Sequence, residues 1–272
     1  MSALTFSLKI SPKQRVDCSP LTPSNLAEKS LSDIAATLLQ CGKQQLRADS
    51  VFTISGLDTS NISFNNSSEK LDCIGAHMHS GSITVHGNVG SYLGLQMKGG
   101  HLTINGNADA FAACGMEGGL LHVHGSVGDF VGGALPGDRK GMRGGTVIIT
   151  GNAGDRAGDQ MRRGILLIEG NVGSYCASRM LAGTIGVLGT VGEYVGFGMR
   201  RGTLLLFKQP EIKHSFHATI QDCGQHTLPF LSLMFKSFQT LPSKFASIQQ
   251  NRARRYGGDL ANDGKGEIFI FS

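Results

Sequence analysis

The strongest constraint on this chain is a repeat of 19 residues. One glycine column runs Gly81, Gly100, Gly119, Gly145, Gly164, Gly183, Gly202, in steps of 19, 19, 26, 19, 19 and 19. A second column, Gly87, Gly106, Gly125, Gly151, Gly170, Gly189, follows the same steps. A methionine column (Met97, Met116, Met142, Met161, Met180, Met199) does likewise, and Met78 extends it backward. The single step of 26 marks an insertion around Leu135–Lys140. Self-similarity at such a period signals stacked units that bury a core only jointly.

Between the two glycine columns the apolar residues alternate: Ile83/Val85, Leu102/Ile104, Leu121/Val123, Val147/Ile149, Leu166/Ile168, Ile185/Val187, Leu204/Leu206. Period two is the strand pattern. Nineteen residues cannot hold two helices with their turns, so helical repeat arrays are excluded. A strand and bends in each repeat predict an all-β fold, a parallel β-helix of about seven coils over residues 75–207. The period is not a multiple of six, which argues against a hexapeptide helix. Of the 39 glycines, 32 lie between Gly75 and Gly202. Interior Gly costs about 0.5–1 kcal/mol relative to Ala unless the chain needs positive φ or close backbone contact. The columns therefore mark corners. Collagen is excluded because Gly does not fall every third residue and only 7 prolines are present.

A β-helix has open ends that must be covered. Residues 1–74 and 208–272 are the candidate caps, small and mixed α/β. The first should hold a strand at Thr5–Lys9, a helix opened by Asn25 with Glu28 completing a capping box, a helix over Leu31–Leu39, a strand at Phe52–Ile54 and a degenerate coil over 57–80. In the second, the apolar face of Leu228–Phe238 predicts a helix that plugs the last coil. Arg252–Asp259 reads as a loop and Glu267–Phe271 as a strand.

The chemistry-bearing residues are sparse. The six cysteines are scattered, without a C-x-x-C pair, as free thiols in a reducing cytoplasm would be. There is no run of 18 apolar residues, no signal-peptide core and no phosphate-binding loop, so no membrane partner is expected. A net charge of +5 does not imply nucleic acid. His77 and His79 face one way at i, i+2. His86 and His124 share a column, but two coils at about 4.8 Å each separate them too widely for one ion. No catalytic, cofactor-binding or metal-ligating residue is assigned.

Surfaces are more informative. Arg143, Arg162, Arg163, Arg200 and Arg201 follow the methionine column and, with Arg139 and Lys140, form a basic stripe. It is either a solvated edge or a dock for an acidic protein partner or polyanion. The outward strand positions turn apolar at Leu120, Ile148, Ile165, Leu167 and Leu205. Either the C-terminal segment covers this strip or a partner does. Tyr92, Phe111, Phe130, Tyr175 and Tyr194 share one column, interrupted by Arg156.

The repeats Gly87–Tyr92 and Gly170–Tyr175, the run Gly151–Gly164, and the late Arg255–Asp259 and Gly264–Glu267 resemble the C-type subunit of formylmethanofuran dehydrogenase. They equally resemble its bacterial counterpart in the formyltransferase/hydrolase complex. Similar coils occur in the C-terminal domain of glutamate synthase large subunits. The resemblance implies a right-handed helix and a non-catalytic, structural member of a one-carbon complex, with partners of A, B and D type. Those partners would carry the metals: zinc-type binuclear sites, or a molybdenum or tungsten pterin with iron–sulfur clusters. In the bacterial complex they pass formyl from tetrahydromethanopterin to a methanofuran analogue and hydrolyse it to formate. The low charge, 17% of residues, and the Asn, Gln, Cys and Met content favour a mesophilic bacterial member. The rivals are a glutamate-synthase-like spacer and an enzyme with a groove site near His77/His79 or Arg139–Arg143. The second lacks paired carboxylates.

Overall fold

The computed structural model describes residues 2–211 and 215–271. The N-terminal part contains β1 (Ala3–Leu8), β2 (Val16–Asp17), α1 (Pro23–Leu26), α2 (Leu31–Ala35), β3 (Leu38–Cys41), β4 (Gln44–Arg47), α3 (Ala48–Val51), β5 (Phe52–Ser55), β6 (Asp58–Ser67) and β7 (Leu71–Asp72). The repeats supply β8 (Ser82–Gly87), β9 (His101–Asn105), β10 (Leu120–Val123), β11 (Arg143–Ile149), β12 (Arg163–Ile168), β13 (Thr184–Val187) and β14 (Thr203–Leu206). The C-terminal part adds β15 (Ile220–Thr227), α4 (Pro229–Phe238), β16 (Arg252–Asp259) and β17 (Glu267–Ile270).

The protein is mostly β. Among the described residues its main sheet has 13 strands, in the order β15-β16-β17-β14-β13-β12-β11-β10-β9-β8-β6-β1-β5. From β6 through β14 to β17 every pairing is parallel. The register repeats the sequence period: Leu102 faces Ile83 and Leu121, and Leu166 faces Val147 and Ile185. Pairing in register is obligatory here, because a slip of one residue would turn every inward Leu, Ile and Val outward. These inward residues are fully buried in one core that runs from Leu4 to Ile270.

Repeats also meet away from the sheet. Parallel bridges join Val89, Ala108, Val127, Ala153, Val172 and Val191 in series. Along another side, Tyr92 N–H donates to Ala110 O, Phe111 to Asp129 O, Arg156 to Ser174 O and Tyr175 to Glu193 O. Side chains extend the series. The amides of Asn107, Ser126, Asn171 and Thr190 each donate to an Asn Oδ1 in the preceding repeat, at 2.8–2.9 Å.

The two glycine columns have different causes. Gly164 has φ +95, and a Cβ there would lie 2.7 Å from Met142 Cε and 2.8 Å from Gly145 O. Gly106 has an ordinary φ, but a Cβ would run into Gly87 O. In the first column, the methyl of each methionine sits against the glycine of the next repeat, and all seven methionines from Met78 to Met199 are fully buried.

The aromatic column stacks along one edge. Tyr92 and Phe111 are 5.2 Å apart, Phe111 and Phe130 5.0 Å, and Tyr175 and Tyr194 4.9 Å between ring centroids. Arg156 does not interrupt it. Its guanidinium lies 5.8 Å from Phe130 and 4.6 Å from Tyr175, so a planar cation takes a ring's place.

Four local expectations are corrected. Thr22, not Asn25, caps α1, with Glu28 beyond it at φ 64, and the capping box belongs to Ser30 and Asp33. The α2 helix stops at Ala35, and Leu38 and Leu39 enter β3 because pairing with Arg47 and Leu46 of β4 outweighs their helical preference. Arg252–Asp259 is a strand, held between β15 and β17. Finally, α4 does not plug an end. It lies on the outer face of the sheet, where Leu231, Phe235 and Phe238 join Leu167, Leu205, Phe245, Phe269 and Phe271 in a second core. The strand β17 continues the ladder beyond β14 instead.

The two kinds of glycine constraint can be separated. Gly164→Ala should cost about 2–4 kcal/mol in urea unfolding, combining positive φ with a clash. Gly137→Ala has φ +85 and open space around it, and should cost only about 1–2 kcal/mol.

Candidate functional site

The methionine column places the basic residues. Arg143, Arg162 and Arg200 each directly follow a buried methionine, and their N–H groups donate to Met116 O, Met142 O and Met180 O of the preceding repeats at 2.7–2.9 Å. Their backbones therefore form one line along the edge. With Lys140, Arg163, Arg201, Leu181, Ala182 and Asp263 they line an open groove of about 700 Å³. Arg139 stands beside it and is exposed; its carbonyl is 3.5 Å from Arg162 Nη2.

The groove is electrostatically unbalanced. Arg143 pairs with Glu117 at 2.7 Å. The Nε atoms of Arg143 and Arg162 are buried without an acceptor. An unsatisfied buried donor costs about 1–3 kcal/mol, and more for a charged group.

The apolar strip has a different fate. Ile148, Leu167 and Leu205 are fully buried, and Ile165 packs on the second core beside Leu167. As a surface for another chain, Ile165, Leu167 and Leu205 are corrected: the protein's own C-terminal segment covers them. Gly186 explains how Phe245 fits there. A Cβ at 186 would lie 2.6 Å from Phe245 Cε1, so the missing side chain opens a slot in the sheet face for the ring.

Glu169 fastens this layer. Its Oε1 accepts from Ser243 Oγ and from Lys244 N, both at 2.8 Å, and its Oε2 is 3.2 Å from Lys244 Nζ. Burial alone would raise the carboxyl's pKa. The Lys244 amide, the Ser243 hydroxyl and the Lys244 ammonium together hold it below the usual range. The period did not single out Glu169, since nothing local distinguishes it from other charges that end a strand.

The histidines do not converge on a centre. His77 and His79 are exposed on either side of buried Met78. His122 and His124 have ring centroids 4.0 Å apart. Burial and its neighbour His124 lower the His122 pKa, with Glu169 opposing. Among the described residues no three His, Cys, Asp or Glu side chains are grouped to hold a metal ion. All six cysteines are free thiols. Burial pushes Cys114 and Cys176 up to about 12, too high for a reactive thiolate. A cavity of about 1120 Å³ lies in the N-terminal part, between Lys9–Arg15, Cys41–Leu46, Ser50–Val51 and Glu69–Lys70. It joins four separated stretches, so no sequence motif announced it. No helix among the described residues is long and apolar enough to cross a membrane.

Comparison with known proteins places this architecture. The model of the GXGXG motif family matches residues 68–222. The chain belongs to the GXGXG family. This GXGXG chain is also similar to a chain of the formyltransferase/hydrolase complex (FhcABCD) from Methylorubrum extorquens, whose crystal structure contains methylofuran. Identity is 37%, the match covers 98% of this chain and 99% of that chain, and the TM-score is 0.92. The likeness therefore takes in both terminal parts as well as the GXGXG repeats. No curated protein matches.

The Glu169 clasp predicts a pH effect. A carboxyl whose folded pKa is depressed stabilises above its unfolded value, about 4.3, and that contribution is lost as pH falls through the folded value. The unfolding free energy of the protein in urea should therefore fall below about pH 4.3, and fall further than that of Glu169→Gln.

Proposed function

We propose that this chain is the C-type member of a formyltransferase/hydrolase complex, a non-catalytic part of an assembly that handles formyl groups on a methanofuran-type carrier. The observation that carries this reading is the match to a chain of such a complex at 37% identity over 98% of the chain. Coverage of the terminal parts matters most. Glycine-rich repeats alone serve more than one kind of protein, whereas shared caps mean shared ends and shared outer layers.

The fold is a right-handed parallel β-helix, with residues 75–207 forming the helix and 1–74 and 208–272 the caps. Its support is the closure of each repeat: bonds at the 19-residue spacing occur on the sheet, at the Val/Ala bridges and along the aromatic edge. Such a body is rigid and long, and presents the same position at about 4.8 Å intervals. That suits the organisation of larger partners. The chemistry belongs to the partners of A, B and D type, with their tetrahydromethanopterin and metal sites, in a cytoplasmic complex. In this reading the edge formed by Arg139, Lys140, Arg143, Arg162, Arg163, Arg200 and Arg201 is an interface with one of them.

Affinity purification of the tagged protein from its native cells should bring down the formyl-transferring and hydrolysing chains in fixed stoichiometry. Elution as a lone monomer would refute the reading. Charge reversal at Arg162, Arg163 and Arg200 together should lower the yield of complex while the thermal midpoint of the chain stays within a few degrees. Unchanged yield would make the basic edge merely solvated.

A further inference from the structure

The basic groove has more structure than a charged edge requires. Lys140, Arg143, Arg162, Arg163, Arg200 and Arg201 face one acid, Asp263. Asp263 is engaged by Lys265 at 3.3 Å, and Arg143 by Glu117. The other five cations have no ion pair among the described residues. Like charges set along one groove repel, which favours the arrival of anions. The Nε atoms of Arg143 and Arg162 also lack an acceptor. A carboxylate meeting an arginine edge-on takes Nε and Nη2 together. On Arg143, Glu117 uses only Nη2. On Arg162, the nearest acceptor for Nη2 is Arg139 O at 3.5 Å.

Spacing says what kind of anion fits. Arg143 and Arg162 are one repeat apart, and Arg162 and Arg200 two repeats apart. At about 4.8 Å per step the track is about 14 Å long. Leu181 and Ala182 occupy the repeat between, a small apolar floor. A single small anion would occupy one end only. An extended polypeptide rises about 3.3 Å per residue, so side chains at i, i+2 and i+4 cover about 13 Å. Nucleic acid has comparable phosphate spacing, but single-strand grooves pair their cations with aromatic platforms. Among the described residues no aromatic side chain lines this groove.

We propose that the groove is the docking track for an extended acidic segment of a partner chain, laid across the repeats with carboxylates at alternate positions. This rests on the reading of the chain as a member of a complex, and specifies the partner's chemistry. The outer carboxylates sit on Arg143/Arg162 and on Arg200/Arg201, and the segment's methylenes rest on Leu181 and Ala182.

The test uses the full-length protein and fluorescein-labelled eight-residue peptides, read by anisotropy at low salt. A peptide alternating Glu and Ala should bind. A peptide with its four Glu contiguous should bind several-fold more weakly. The double variant Arg200→Glu/Arg201→Glu, both exposed, should reduce binding of the alternating peptide roughly tenfold or more, with an unchanged circular dichroism melt. Arg252→Glu, exposed on β16, should leave binding intact. The proposal is overturned by absent binding, by equal affinity for both peptides, by equal affinity for a dT8 oligonucleotide, or by displacement with equimolar inorganic phosphate. Failure of the peptide arms while the partner chains still co-purify would remove this inference alone and leave the proposed place in the complex standing.

Discussion

Everything in this molecule depends on one contact repeated at a fixed interval. A buried methionine methyl rests against the glycine of the next repeat, and the residue after that methionine hydrogen-bonds back to the preceding one. Glycine is required because its φ is positive and because a Cβ would displace the methyl. Methionine suits the other side because its flexible thioether fills an uneven gap without a fixed branch. Once this contact sets the stacking, the strands fall into register, and the Asn amides and the stacked rings follow at the same interval.

The stacking has a consequence for function. Any residue type repeated in one column becomes a line on the surface. On one edge the line is aromatic, closed by the Arg156 guanidinium between Phe130 and Tyr175. On another it is basic and short of counter-charges. On the outer sheet face it is apolar, and there the chain returns to cover itself with α4 and the Phe245 segment. A stacked array with differing lines suits the organisation of larger partners, which fits the proposed place in a formyl-handling complex.

The repeat region was legible because its period is local: each strand, corner and methionine can be recognised within nineteen residues. The caps were less so. Asn25 and Glu28 matched a capping pattern, yet the cap falls at Thr22 and the box at Ser30/Asp33, since several polar residues competed within one short stretch. Arg252–Asp259 carries no alternation, and becomes a strand only because β15 and β17 supply partners on both sides. The basic stripe was visible as a column, while its convergence into a groove with Asp263 was not.

By itself, then, the sequence determined the period, the inward faces, the corners and the order of the surface columns, because each follows from steric rules acting within one repeat or between adjacent ones. Only the tertiary structure decided which columns remain free. Ile165, Leu167 and Leu205 look outward by period, yet they lie beneath residues from some 25 to 105 positions later, with Gly186 leaving room for Phe245. The arginine column stays open for the same reason in reverse: of the C-terminal segment, only Asp263 is among the residues lining its groove. Whether an outward residue is surface or core depends on such long-range returns, which no local periodicity encodes.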